Sequence, residues 1–166
     1  MNKNLLTLTF LTCCLCQLFP QNRNMYGAKE YGMGELSSYL INKFAQDSYG
    51  YIWIATDYGL NKYDGTRFTH YLNNEHDKSS LLSNNVKTLM MDKSHTLWIG
   101  CNNGVQYYKP DEDSFETILF PNKMKPHVSN IIQLSSEEIW VTTSGWGIYA
   151  IDKKTKKAHP LTNITK

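Results

Sequence analysis

The strongest constraint on the fold is a segment that recurs three times and is marked each time by a tryptophan. The tryptophans are spaced 45 and 42 residues apart, and a glycine follows each one after six or seven residues. These repeat anchors are Trp53, Trp98, Trp140, Gly59, Gly104 and Gly147. A period of about 40–45 residues is typical of β-propellers, in which each four-stranded blade buries its apolar faces against its neighbours. The sequence therefore predicts an all-β fold, a partial β-propeller with about three four-stranded blades of 42–45 residues.

Each copy of the repeat divides into four apolar or alternating segments that are separated by turn residues. The predicted strands lie at 40–46, 51–56, 60–63 and 67–71, then at 86–91, 96–101, 105–108 and 115–119, and finally at 128–134, 138–143, 148–151 and 158–161. The boundaries place blade 1 at residues 40–85, blade 2 at 86–127 and blade 3 at 128–166. Three such blades do not close a ring, so we expect the natural protein to continue past Lys166.

The first residues differ in kind from the repeats. Lys3 is followed by an uncharged, largely apolar run that reaches Phe19, which is the pattern of a signal peptide. We predict a signal peptide at residues 1–21, with an uncleaved signal anchor as the alternative, and a periplasmic location for the blades. Residues 22–39 form a lead-in, and within it residues 25–31 resemble a ring-closing outer strand.

Charge and cysteine content narrow the classes of partner. The chain has 17 basic and 15 acidic residues without a basic stripe, which argues against binding of nucleic acid. Four lysines cluster between residues 153 and 157, where we predict a solvated hairpin turn. Three of the four cysteines lie in the predicted leader, so Cys101 has no partner for an internal disulfide and is interpreted as a buried strand residue.

The repeats carry no recognisable catalytic constellation. The five histidines are scattered without the spacing of a metal site, and we expect neither a cofactor nor a catalytic residue. Asp47 and Asp92 recur at the same repeat position, which indicates that they bond the following turn. Turns between the second and third strands should gather at one end of the blades. There, four residues are candidates for binding a saccharide, since aromatic rings pack on sugar rings and amides meet hydroxyls: Tyr58, Asn102, Asn103 and Trp146. The alternative is that the rings only cap neighbouring loops.

The repeats resemble a known family. The first copy reads Gln46-Asp47-x-x-Gly50-x-Ile52-Trp53-Ile54-x-Thr56-x-x-Gly59-Leu60-Asn61-x-Tyr63-Asp64-Gly65. This run is similar to the two-component regulator propeller repeat, and the resemblance extends over three copies from about residue 31 to residue 161. It implies the periplasmic sensor part of a hybrid two-component regulator. In that family the remaining propeller blades, a membrane helix and a histidine kinase module lie elsewhere in the protein, and oligosaccharides are common signals.

The resemblance also implies partners and leaves alternatives open. The expected partners are an oligosaccharide ligand, the rest of the propeller, the kinase module and a second copy in a homodimer. Kinase activity would lie outside these residues, so the chain itself is predicted not to be an enzyme. The alternatives are an exported propeller enzyme, either a lyase or a hydrolase, and a purely structural or protein-binding propeller fragment, because fold alone does not establish function.

Overall fold

In the computed structural model of the chain, residue 31 and residues 34–161 are described. This part of the chain forms three four-stranded antiparallel sheets, each with its strands in sequence order, and so confirms the prediction of three four-stranded blades. The predicted signal peptide and almost all of the predicted outer strand at 25–31 lie outside the described residues.

Each observed strand lies within two residues of its predicted position. Blade 1 consists of β1 (Ile41–Gln46), β2 (Ile52–Thr56), β3 (Gly59–Tyr63) and β4 (Phe68–Tyr71). Blade 2 consists of β5 (Val86–Met91), β6 (Leu97–Cys101), β7 (Gly104–Lys109) and β8 (Ser114–Thr117). Blade 3 consists of β9 (Val128–Gln133), β10 (Glu138–Thr143), β11 (Gly147–Asp152) and β12 (Lys157–Pro160). A short 3₁₀ helix at Pro121–Lys123 precedes blade 3.

The core consists of two apolar clusters, one in each interface between neighbouring blades. Trp53 packs with Val86 and Leu89 of blade 2, whereas Trp98 packs with Ile131 and other residues of blade 3. Each of these tryptophans is fully buried because the following blade covers it. Trp140 is only half-buried, since no blade covers the corresponding face of blade 3 within the described residues.

A carboxylate holds the turn before the central strand in the first two blades, as the sequence predicted. Asp47 Oδ1 accepts hydrogen bonds from the backbone amides of Tyr49 and Tyr51, both at 3.0 Å. Its Oδ2 accepts one from Trp53 Nε1 at 2.8 Å. The repeat thereby ties its turn to its central tryptophan.

In blades 2 and 3 the indole N–H of the repeat tryptophan also donates to a carboxylate, but the carboxylate comes from two different repeat positions. In blade 2, Asp92 accepts from two turn amides through Oδ1 and from Trp98 Nε1 through Oδ2 at 3.0 Å. In blade 3 the corresponding position is Leu134, and Trp140 Nε1 donates to Glu138 Oε1 at 2.7 Å instead. A buried or half-buried indole N–H needs an acceptor, and the carboxylate can come from either position.

The lysine-rich hairpin of blade 3 is only partly solvated, so the prediction of a solvated turn was wrong for two of its lysines. Lys154 is exposed, but the side chain of Lys153 is only 11% exposed and its ammonium lies 2.7 Å from Asp92 of blade 2. The Lys156 ammonium lies 4.3 Å from the ring centre of Tyr107 and 5.1 Å from that of Trp98. The hairpin curls back over blade 2, so two of its four lysines contribute to the interface between the blades.

Candidate functional site

The inner strand of every blade contains a β-bulge near its first residue. The pairing of β1 with β2 skips Asn42, that of β5 with β6 skips Lys87, and that of β9 with β10 skips Ser129. These three inner strands lie next to one another in the order β1, β5, β9. A bulge leaves one residue unpaired and re-aims its side chain. The fold thus presents three equivalent polar side chains at one end of the blades.

Each bulged side chain bonds to a turn that follows a central strand. Asn42 Nδ2 donates to Asp57 Oδ1 at 2.9 Å, and the Lys87 ammonium of the next blade lies 2.9 Å from the same oxygen. In blade 3 the hydroxyl oxygens of Ser129 and Ser144 lie 3.1 Å apart. We refer to these five residues, Asn42, Asp57, Lys87, Ser129 and Ser144, as the axial rim.

The electrostatics of the rim centre on Asp57. Hydrogen bonds from Asn42 and from Lys87 hold the pKa of the Asp57 carboxyl below its ordinary value of 3.8. The Asp57 and Lys87 side chains remain 33% and 29% exposed, so the pair is accessible from solvent. The rim therefore offers a carboxylate, an ammonium, an amide and two hydroxyls to a polar ligand.

Backbone hydrogen bonds fix the rim turns to the start of the inner strands. The amide after each central strand donates to the carbonyl that precedes the inner strand of the same blade. The three pairs are Asp57 to Leu40 at 3.0 Å, Asn102 to Asn85 at 3.2 Å and Ser144 to His127 at 2.8 Å. The same bond in three blades gives the turns equivalent positions around the inner strands.

The four residues predicted to bind a saccharide lie in these equivalent turns. Tyr58 and Trp146 are exposed, at 56% and 57%, and Asn102 is also exposed. Asn103 is half-buried; its Nδ2 donates to Leu82 O at 3.3 Å, and its buried Oδ1 accepts no hydrogen bond from the described residues. No hydrogen bond or ring contact between two of the four is found in the described part of the chain. The structure therefore brings their turns to one end of the blades without joining the side chains directly.

The sequence analysis missed three rim residues, Asn42, Lys87 and Ser129. Each follows an apolar first residue of its inner strand, and this shared register is a signal that aligning the three copies could have revealed. The direction of the side chains could not have been found in that way. A bulge depends on the pairing of two strands, whereas the sequence pattern reports each strand separately.

The remaining candidate chemistry is sparse within the described residues. No group of three or more His, Cys, Asp or Glu side chains among residues 31 and 34–161 could hold a metal ion. Cys101 is fully buried, as predicted, and burial raises the pKa of its thiol to about 12. No helix in this part of the chain is long and apolar enough to cross a membrane.

A protein-family model matches parts of the first two repeats. The two-component regulator propeller model matches residues 35–58 and 80–103, which contain the inner and central strands of blades 1 and 2. The matched parts of the first two repeats are thus similar to the two-component regulator propeller repeat. The matched segments include Asn42, Asp57 and Lys87 of the axial rim and end at Tyr58 and Asn103.

Solved structures from B. thetaiotaomicron share the fold. Two are extracellular domains of proteins described as hybrid two-component systems. The first has a TM-score of 0.70 and 26% identity, and the match covers 79% of this chain and 19% of that chain. The second has a TM-score of 0.67 and 25% identity, and the match covers 83% of this chain and 18% of that chain.

A curated relative extends the similarity to a protein of known class. "Histidine kinase P4" from Formosa agariphila is 31% identical over 96 residues, which cover 53% of this chain. The match spans only 7% of the length of that protein.

Proposed function

We propose that the chain is a ligand-sensing propeller segment of an exported two-component regulator. The proposed ligand is an oligosaccharide, and its binding would control a histidine kinase elsewhere in the protein. The family of the repeats, the extracellular origin of the solved relatives and the histidine kinase relative support this function. They do not bear on the identity of the ligand, which rests on the chemistry of the axial rim.

The observation that carries the proposal is the threefold bulge at the axial rim. Asn42, Lys87 and Ser129 are polar, lie at the three bulges and bond to the turns that follow the central strands. Amide, ammonium and hydroxyl groups match the donors and acceptors of a sugar. The exposed rings of Tyr58 and Trp146 provide apolar faces for pyranose C–H groups.

Signalling requires that the ligand distinguish two arrangements of the protein. A saccharide that spans turns of two blades would bind more tightly to one arrangement of neighbouring propeller blades, and so would shift the population towards it. The Lys87–Asp57 pair joins blades 1 and 2 at the rim and is well placed to report such a change. The kinase would respond to the shifted population and not to a contact with the sugar itself.

Calorimetry on saccharides selected from a glycan array tests the proposal. We expect Trp146→Ala to weaken binding by at least about 30-fold, corresponding to loss of a binding hot spot of about 2 kcal/mol. Leu134→Ala is the matched control, because Leu134 is 56% exposed and lies at the other end of blade 3.

Three outcomes would contradict the proposal in different ways. Unchanged affinity of the Trp146 variant would show that the saccharide does not bind at this end of the blades. If no saccharide binds, the proposed ligand class is wrong, but a sensor of another signal remains compatible with the result. Turnover of a bound saccharide would favour an exported propeller enzyme over a sensor.

A further inference from the structure

An aromatic-walled cavity lies between blades 1 and 2, at the end of the strands opposite the axial rim. Its volume is about 280 Å³, and four aromatic side chains line it: Tyr49, Tyr51, Trp53 and Tyr108. Tyr49 is 75% exposed and Tyr51 is 37% exposed, so these two rings form its accessible wall. The cavity is slightly smaller than the usual range of about 300–1,000 Å³ for ligand sites, which favours a small occupant.

The interface between blades 2 and 3 holds a lysine ammonium at the position that corresponds to this cavity. Between blades 2 and 3, the Lys153 ammonium lies 2.7 Å from Asp92 Oδ2 and 2.9 Å from Ser94 Oγ. The Asp92 side chain is fully buried there. An ammonium group supplied by blade 3 thus compensates the buried carboxylate that holds the turn of blade 2.

The equivalent residues of blades 1 and 2 line the cavity. Asp47 corresponds to Asp92, because each lies six residues before its tryptophan, and Tyr49 corresponds to Ser94. Pro110 corresponds to Lys153, because each lies six residues after its repeat glycine. Asp47, Tyr49 and Pro110 all line the cavity, so it lies where the second interface holds an ammonium group.

The charges around the cavity favour a cation. Asp47 and Asp111 line it, and neither forms an ion pair with a lysine or arginine among the described residues. Lys62 also lines the cavity, but its ammonium lies 3.6 Å from Asp113 and is surrounded by four aromatic rings at 5.4–5.7 Å. With Lys62 paired in this way, two carboxylates remain uncompensated.

We propose that this cavity binds a primary alkylammonium group, such as that of an amine or an amino sugar. The ammonium takes the place that Lys153 takes in the second interface and pairs with Asp47. Its carbon chain packs against the rings of Tyr49 and Tyr51, whose faces also attract the positive charge. The site is separate from the axial rim and does not depend on the ligand proposed there.

The probe for this site is n-butylammonium, which has the length of a lysine side chain, with n-butanol as the neutral control. Ligand-observed NMR on the full chain should show n-butylammonium binding at least about ten-fold more tightly than n-butanol. Equal binding of the two probes, or no binding of n-butylammonium, would overturn the proposal.

Pro110→Lys is the decisive variant because it supplies to blade 2 the lysine that blade 3 already has. We expect it to abolish n-butylammonium binding and to raise the melting temperature. Leu119→Lys adds the same charge at a side chain that is 67% exposed and should leave binding unchanged. If Pro110→Lys does not fold, Tyr49→Ala should weaken binding at least about five-fold by removing the exposed wall. Unchanged binding in either cavity variant would contradict the proposed position.

Discussion

We expect substitution of Asp92 to lower the free energy of unfolding more than substitution of its repeat equivalent, Asp47, because Asp92 belongs to a buried ion pair between blades 2 and 3. Asp92 and Asp47 make the same bonds to their turn and to their tryptophan, but among the described residues only Asp92 pairs with a lysine, at 2.7 Å. Substitution of each by asparagine keeps the side-chain shape and preserves an oxygen for the turn amides. The difference between the two variants therefore isolates the contribution of Lys153.

The expected magnitudes follow from the groups left unpaired. In Asp92→Asn, an amide N–H₂ can face Lys153 and Trp98, and the Lys153 ammonium, 11% exposed, loses its counter-charge. Removal of one partner from a buried pair costs about 3–5 kcal/mol of unfolding free energy. Asp47→Asn loses only the bond to Trp53, which costs about 1–2 kcal/mol. We therefore expect Asp92→Asn to be more destabilising by about 2 kcal/mol.

Urea unfolding of the full chain measures this difference. Both variants should shift the midpoint without changing the slope, because the surface exposed on unfolding is the same. In a Lys153→Met background, Asp92→Asn should cost no more than Asp47→Asn does in the wild type. Equal destabilisation by the two single variants would refute the assignment of the ion pair as an interface-stabilising contact.

The Asp92–Lys153 pair also predicts that the stability of the chain depends on pH. Burial raises the pKa of Asp92, but the hydrogen bonds from Lys153 and Trp98 outweigh it and leave the pKa below the ordinary value of 3.8. A carboxyl with a lowered pKa contributes stability that is present above its unfolded pKa and is lost as the pH falls through its folded pKa. Acid unfolding curves should therefore fall more steeply below pH 3.8 in the wild type than in Asp92→Asn.

Two further predictions concern the packing of blade 2. Gly100→Ala should destabilise the chain by about 1–3 kcal/mol in urea, because a Cβ there would lie 2.6 Å from Val128 Cγ1 of blade 3 and 2.6 Å from Thr88 Cγ2; an unchanged midpoint would contradict the close contact. The Cys101 thiol should resist a disulfide reagent at neutral pH in the folded chain, since it is fully buried with a pKa raised to about 12, and should react at once in denaturant. Rapid labelling of the native chain would show that blade 2 opens readily.

The candidate sites were harder to predict than the strands for a specific reason. Tyr58 and Trp146 could be placed at one end of the blades because turn residues and strand order determine where a turn lies. Asn42, Lys87 and Ser129 could not, since their directions depend on bulges formed with the central strands. The directions of these rim side chains depend on the pairing of two strands more than on their own local sequence.

The sequence by itself determined the blades, their strands and the role of the repeated aspartate. These features depend on local patterns, namely a period of about 40–45 residues, strand alternation and turn chemistry, which each repeat carries within itself. Only the tertiary structure showed that Lys153 reaches Asp92 across an interface, whereas Pro110 leaves a cavity beside Asp47. The same repeat position therefore has different consequences, because contacts between blades depend on which side chains two distant segments bring together.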